Sequence, residues 1–100
     1  MHSPIEANEL LNRLNTGESL NLLDVRGVIE FHTYNIGGKN IPLPVLAKNA
    51  HNTGYNKKEE IIVICKVGLR SETASGILKE AGFENVRNLT GGLIALQKLK

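Results

Sequence analysis

The sequence predicts an α/β fold in which a parallel sheet is covered by helices on both faces. Two observations lead to this prediction. Short apolar stretches of strand length alternate along the chain with helix-like segments, an order that favours parallel strands joined by helices. Residues 61–65 are apolar at every position, which is typical of a strand buried on both faces inside such a sheet.

The first half of the chain predicts a helix, a buried strand and a second short helix. Residues 3–6 fit a capping box with proline at the first helical position, and the helix that follows ends at Thr16-Gly17. Residues 20–25 have the length and apolar content of a strand, and residues 27–32 form one or two helical turns. Residues 34–40 contain Gly37-Gly38 and predict a loop.

The second half repeats this alternation. Because each proline disfavours the α region in the residue before it, residues 41–44 are expected to be extended. A short helix over 45–50 and a polar loop over 51–60 lead to the strand at 61–65. The next helix spans 71–81 and stops at Gly82. The rest of the chain is expected to form a strand at 86–89, a turn at 90–92 and a helix at 93–99.

Composition limits the class of protein. The chain has 100 residues, 41% of them hydrophobic and 22% charged, so residues 1–100 are expected to form one globular domain. A net charge of +2 is too small to indicate a nucleic acid or an anionic membrane as partner. Neither a membrane span nor a signal peptide is expected.

The single cysteine, Cys65, is the most informative residue of the chain. One cysteine cannot form an internal disulfide, which fits a reducing compartment and a cytoplasmic location. It also lacks the spacing of a metal site, and no cofactor is indicated. Cys65 follows the buried strand directly, and in parallel sheets functional sites form beyond the carboxyl ends of strands.

The residues after Cys65 favour an ionised sulfur. Gly68 permits backbone geometries that turn N–H groups inward, Arg70 supplies a fixed cation, and Ser71 is expected to cap the next helix. Lys66 adds a second cation, so the thiol pKa is expected to fall below its ordinary value. Two plainer interpretations stay open: a buried cysteine that acts as a small hydrophobe, and solvated charges at Lys66 and Arg70.

These residues resemble the active-site loop of rhodanese-like sulfurtransferases, and the resemblance extends along the chain in the family's order. Residues 65–71 (CKVGLRS) match the loop itself. Residues 23–26 with Glu30-Phe31 resemble the family's DVR…EF motif, residues 35–43 its segment ending in NIPL, and residues 85–92 its closing segment with two glycines.

The resemblance implies a five-stranded parallel sheet flanked by helices, and a mechanism. Cys65 would attack the outer sulfur of an anionic donor such as thiosulfate, keep that sulfur as a persulfide and pass it to a thiol or to cyanide. The substrate and persulfide loop would comprise Lys66, Val67, Gly68, Leu69, Arg70 and Ser71.

Loop length separates this chemistry from phosphate chemistry. Cysteine phosphatases use a C-x5-R pattern, whereas Cys65 to Arg70 is C-x4-R. The shorter loop suits a sulfur atom better than a tetrahedral phosphate, so phosphatase activity ranks well below sulfur transfer.

Three further residues are expected to support the site. Arg26 and Glu30 stand four apart and can pair across a turn, and Asp24 can accept hydrogen bonds from neighbouring loops. A structural role is the preferred interpretation for all three. Two departures from the family's pattern, Asn35 in place of histidine and Leu96 in place of tryptophan, are expected to alter the rim of the pocket and thus the donor or acceptor.

Three functions therefore remain in competition. The first is an enzyme with Cys65 as nucleophile. The second is a persulfide relay that takes sulfur from, or gives it to, a partner protein. The third is a non-catalytic binding domain with the same fold, which the intact loop residues argue against.

Overall fold

Four parallel strands form the sheet. The structure, a computed structural model, describes residues 2–100; Met1, which begins the predicted domain, lies outside them. The strands are β1 (Leu22–Asp24), β2 (Lys39–Asn40), β3 (Glu60–Ile64) and β4 (Asn85–Asn88), in the order β2-β1-β3-β4. All of them pair in parallel, so the predicted α/β class is confirmed.

The prediction of a fifth strand is wrong for the described residues. Ile5 makes only one isolated parallel bridge, to Leu89 beside the end of β4. Its N–H donates to the carbonyl of Asn88 at 3.0 Å and its carbonyl accepts the N–H of Thr90 at 3.0 Å. Since the chain turns helical at Ala7, the pairing cannot lengthen into a strand.

The same bridge overturns the predicted capping box at residues 3–6. Ile5 pairs with the sheet and Glu6 is still extended, with φ −79° and ψ 153°. The first helix, α1 (Ala7–Asn15), therefore begins later than the sequence indicates, and Glu6 makes no side-chain capping bond. A non-local backbone pairing has prevailed over a local helix signal.

Four more helices complete the fold: α2 (Val28–Thr33), α3 (Leu43–Lys48), α4 (Leu69–Glu80) and α5 (Gly92–Gln97). Two boundaries correct the predictions. Leu43 and Pro44 belong to α3 and are not extended, because proline is tolerated in the first turn of a helix. The loop predicted at 34–40 contains β2.

Helices cover both faces of the sheet, as predicted. Alternate residues of β1 and β3 point to opposite faces, and each face carries its own apolar core. On one face α3 and α4 pack over a cluster that includes Leu46, Leu78 and Phe83. On the other, α1 and α5 pack over a cluster that includes Leu10 and Leu96.

The two central strands end side by side, which positions the site. Asp24 pairs with Ile64 in register, and the N–H of Val25 donates to the carbonyl of Ile64 at 2.9 Å. Cys65 and Asp24 are thus brought to the same edge of the sheet. Among residues 2–100, no helix is both long and apolar enough to cross a membrane.

Candidate active site

Cys65 lies at the bottom of a loop that closes over its sulfur. The residue is 1% exposed and packs in the core cluster beneath α3 and α4. The N–H groups of Gly68 and Ser71 donate to Sγ at 3.1 and 3.3 Å. A cysteine that served only as a core hydrophobe would not need such donors.

These contacts control the charge of the sulfur. Burial raises the pKa of the Cys65 thiol, but the contact with the Ser71 hydroxyl and the backbone N–H groups of the loop outweigh it, so the pKa is lowered from its ordinary value. The direction agrees with the sequence prediction. Hydrogen bonds are the leading causes that lower the pKa of Cys65, whereas the sequence had also pointed to the charges of Lys66 and Arg70.

The loop takes its shape from Gly68 at the start of α4. Gly68 has φ +98°, a left-handed conformation that costs glycine little, and it turns its own N–H toward Sγ. The helix consequently begins at Leu69, two residues before the predicted start, and the prediction that Ser71 caps it is wrong. Ser71 lies in the first turn, fully buried, with its hydroxyl oxygen 3.3 Å from Sγ.

The start of α5 supports the backbone of the loop, a contact that the sequence did not predict. The N–H groups of Leu93 and Ile94 donate to the carbonyls of Cys65 and Lys66 at 2.9 and 3.1 Å. Gly92 makes this approach possible, since a Cβ there would lie 2.6 Å from the Cys65 carbonyl oxygen. The Gly91-Gly92 pair was the available sequence signal.

Arg70 is held by Glu30 of α2. Its two terminal nitrogens donate to the two carboxylate oxygens at 2.7 and 2.9 Å, a bidentate pair in which both side chains are about 40% exposed. Arg70, with the N–H of Gly27, lowers the pKa of Glu30 to about 2. Glu30 thereby fixes the cation at the mouth of the loop.

The predicted pairing of Arg26 with Glu30 is wrong. Arg26 instead forms a bidentate ion pair with Asp24, in which Nε donates to Oδ1 at 2.9 Å and Nη2 to Oδ2 at 2.7 Å. Both residues are almost fully buried. It reaches Glu30 only at the backbone carbonyl, at 3.4 Å, and donates to the carbonyl of Tyr34 at 2.6 Å. The buried pair braces the turn between β1 and α2.

An open cleft of about 350 Å³ adjoins the loop. Lys66, Glu30 and Ile29 line it, and the Lys66 side chain has no ion-pair partner among the described residues. The segments after β1 and β3 also carry an apolar rim, which we define as four exposed residues: Val28, Ile29, Val67 and Leu69.

Sequence reasoning missed Asn88 on β4. Its Nδ2 donates to the carbonyl of Gly68 at 3.3 Å, and its Oδ1 accepts a short hydrogen bond from the Ser71 hydroxyl. Nothing in the local pattern indicates this, because Asn88 lies 17 residues from Ser71 and meets it only through the β3–β4 pairing.

The two departures from the family's pattern, Asn35 and Leu96, are not among the residues that line the cleft, contrary to the expectation that they alter its rim. Asn35 bridges the carbonyl of Phe31 and the N–H of Gly37, at 2.9 Å each. Leu96 is fully buried in the core cluster of α1 and α5. Neither side chain lines the cleft beside Lys66.

Comparison with known proteins assigns the family. The rhodanese-like domain model matches residues 6–99, and the chain therefore belongs to the family of rhodanese-like domains. Among solved structures, the rhodanese-like domain of Anabaena sp. Alr3790 superposes with a TM-score of 0.86 at 30% identity, covering 99% of this chain and 76% of that one. The human single-domain sulfurtransferase TSTD1, at 22% identity and a TM-score of 0.84 over 97% of this chain and 96% of that one, shares the fold.

Two curated relatives connect the chain to sulfur transfer. The putative sulfur carrier protein YrkF of Bacillus subtilis is 39% identical over 82 residues, which are 81% of this chain and 43% of YrkF. The probable adenylyltransferase/sulfurtransferase MoeZ of Mycobacterium tuberculosis is 32% identical over 97 residues, 96% of this chain and 25% of MoeZ. The chain thus spans less than half of either relative, and what they support is sulfur transfer in general.

Proposed function

We propose that this chain is a sulfurtransferase that moves sulfane sulfur through a persulfide on Cys65. The observation that carries the proposal is the set of N–H groups directed at Sγ, because an anionic sulfur in a buried place needs donors of this kind. We further propose that residues 1–100 act as one domain in the cytoplasm.

The first half-reaction loads the cysteine. The Cys65 thiolate attacks the outer sulfur of thiosulfate; the new S–S bond forms as the bond to the sulfite group breaks, and sulfite departs with that bond's electron pair. The total charge of −3 is the same before and after. Lys66 and Arg70 attract the anionic donor and stabilise the departing sulfite. The N–H groups of Leu69 and Arg70, which have no acceptor within α4, stabilise the terminal sulfur.

The second half-reaction removes the transferred sulfur from Cys65. A thiolate or cyanide attacks the terminal sulfur of the persulfide, the Cys65–sulfur bond breaks, and its electron pair returns to Sγ as the thiolate. The acceptor leaves as a persulfide or as thiocyanate. No cofactor takes part, because both steps are exchanges at sulfur with no net redox change.

A specific observation favours a second candidate, a relay that exchanges sulfur with a partner protein. The four exposed residues of the apolar rim lie in the loop and on α2, and of these Ile29 is 83% and Leu69 71% exposed. A small inorganic anion gains no binding energy from an apolar surface, whereas a docking protein would bury it. The similarity to YrkF, named as a putative sulfur carrier, agrees with this candidate.

The mass of the intact protein tests the proposal. After incubation with thiosulfate, wild type should gain one sulfur atom and lose it on reduction, while Cys65→Ser should gain nothing and remain folded. A gain in Cys65→Ser, or turnover near that of wild type, would refute the role of Cys65. If wild type gains sulfur only from a cysteine desulfurase, the relay is the function; if from neither donor, the chain is a binding domain.

A further inference from the structure

The Ser71 hydroxyl lies between two groups that compete for its single proton. Its oxygen is 3.3 Å from the Cys65 sulfur and in short contact with Oδ1 of Asn88, and Ser71 is fully buried.

The orientation of the Asn88 amide fixes the direction of these bonds. Its other end faces the carbonyl of Gly68 at 3.3 Å, and a carbonyl can only accept, so the NH2 group must lie there. The oxygen of the amide therefore faces Ser71, which must donate to it. The hydroxyl then presents a lone pair to the sulfur, and that arrangement suits a thiol S–H, which donates to it.

A thiolate requires the opposite arrangement. Once the sulfur has given its proton to a base from solution, a lone pair facing it is repulsive. The Ser71 hydroxyl must rotate to donate to Sγ, and Asn88 loses that hydrogen bond. When Sγ takes up the transferred sulfur, the negative charge moves to the outer atom, and the hydroxyl is free to return to Asn88.

We propose that Asn88 is a positioning residue of the sulfur chemistry: it accepts the Ser71 hydroxyl proton and so keeps that proton turned away from Sγ in the thiol and persulfide forms, and it loses this hydrogen bond only to the thiolate. Only the part of this inference that concerns the persulfide form rests on the proposed function. The competition between Asn88 and the thiolate exists whether or not the protein transfers sulfur.

The charged groups around the sulfur are common to all the variants that test this inference. Lys66 and Arg70 belong to the loop and α4, and Glu30 of α2 holds Arg70. Asp24 at the end of β1 and Arg26 in the turn after it form an ion pair. Asn88 is the neutral group that faces Ser71 from β4, so its replacement changes hydrogen bonding and leaves the charges in place.

The experiment is the pH profile of alkylation. Cys65 is the only cysteine, so the rate of iodoacetamide addition, followed by intact mass from pH 5 to 10, reports its thiolate fraction directly. Asn88→Ala should lower the midpoint by roughly 0.5–1 pH unit, because the Ser71 hydroxyl can then donate to the thiolate without losing a hydrogen bond to Asn88. Ser71→Ala should raise the midpoint, and adding Asn88→Ala to it should produce no further change.

A merely structural role for Asn88 predicts the opposite sign. If the asparagine only braced Gly68, its loss would loosen the Gly68 N–H from Sγ and raise the midpoint. A raised or unchanged midpoint in Asn88→Ala, or a shift that persists in the Ser71→Ala background, would overturn the inference. Asn88→Leu, which is close in volume, repeats the test if the alanine variant fails to fold. Because alkylation needs no sulfur donor, a failure of persulfide formation would be seen separately.

Discussion

At the scale of single residues, Arg70 has two interactions to satisfy. It is paired with Glu30, and its charge stands at the mouth of the loop, where the proposed anionic donor would enter. Arg70 lowers the pKa of Glu30 to about 2, well below its ordinary value of 4.5. A carboxylate with a lowered folded pKa stabilises the protein above about pH 4.5 and loses that contribution as the pH falls toward 2. The pair is therefore intact at neutral pH.

Arg70→Ala should weaken catalysis more than folding. We expect kcat/KM for thiosulfate to fall about tenfold, since a charge-assisted contact to the donor is lost. Stability should change by less than about 1 kcal/mol, because the pair is exposed to solvent. Steady-state kinetics beside urea unfolding measure both. Lys58→Ala removes an exposed cation from the loop before β3 and controls for net charge. Equal turnover in the two variants would show that Arg70 acts only as a surface charge.

Gly92 and Gly76 make a matched pair of glycines. Gly92 has φ +64°, and a Cβ there would lie 2.6 Å from the Cys65 carbonyl oxygen, whereas a Cβ on Gly76 of α4 meets nothing within 4 Å. Gly92→Ala should cost about 1–3 kcal/mol and displace the cysteine loop. Gly76→Ala should stabilise by about 0.5–1 kcal/mol, the helix preference for alanine. Urea midpoints of both variants give the comparison; a Gly92→Ala protein as stable as wild type would contradict the tight packing beneath Cys65.

At the scale of elements, an ion-pair network joins α1, β3 and β4 away from the site. Glu60 at the start of β3 accepts hydrogen bonds from Arg13 of α1 at 2.6 and 3.0 Å and from Arg87 of β4 at 3.3 Å. Arg87 also pairs with Glu9 of α1 at 2.7 Å. The network ties the first helix to two strands that are far from it in sequence.

Glu60→Gln should make folding less sensitive to acid. Hydrogen bonds from Arg13 and Arg87 lower the pKa of Glu60 below 4.5, so its contribution is present above about pH 4.5 and disappears as the pH falls below it. At pH 7 the variant should be about 1 kcal/mol less stable, and the gap from wild type should narrow toward pH 3. Urea unfolding at pH 7, 5, 4 and 3 measures this. Glu59→Gln, an exposed neighbour without a side-chain partner among residues 2–100, should show no such gap.

The elements also show where sequence reasoning succeeds. β3 and α4 were predicted within two residues, because an apolar run and a glycine stop are local signals. The start of α1 was predicted wrongly, because Ile5 pairs with Leu89. These two residues are far apart in the sequence, so a local pattern cannot reveal the pairing. The predicted fifth strand is absent because α1 begins at Ala7 and leaves room for only that one bridge.

The whole molecule assembles the site from separate parts of the chain. The cysteine loop was predictable because its residues are consecutive and Gly68 allows the left-handed turn that directs N–H groups at the sulfur. Its partners were not: Glu30 is 40 residues from Arg70, and Asn88 and Gly92 reach the loop only because β4 pairs with β3. Sequence spacing suggested the pair Arg26–Glu30, whereas the fold gives Arg26 to Asp24, the nearer and more deeply buried acid.

The apolar rim predicts a difference between protein and small-molecule donors. In the double variant Val28→Ser/Ile29→Ser, both substituted side chains are mostly exposed, so folding should be unchanged. Loading of Cys65 from a cysteine desulfurase should slow about tenfold, because apolar surface that a docking protein would bury is lost, while loading from thiosulfate should stay within about twofold. The control is Leu99→Ser, since Leu99 is similarly exposed but follows the end of α5. Equal rates from the desulfurase in both variants would remove the support that the rim gives to a relay.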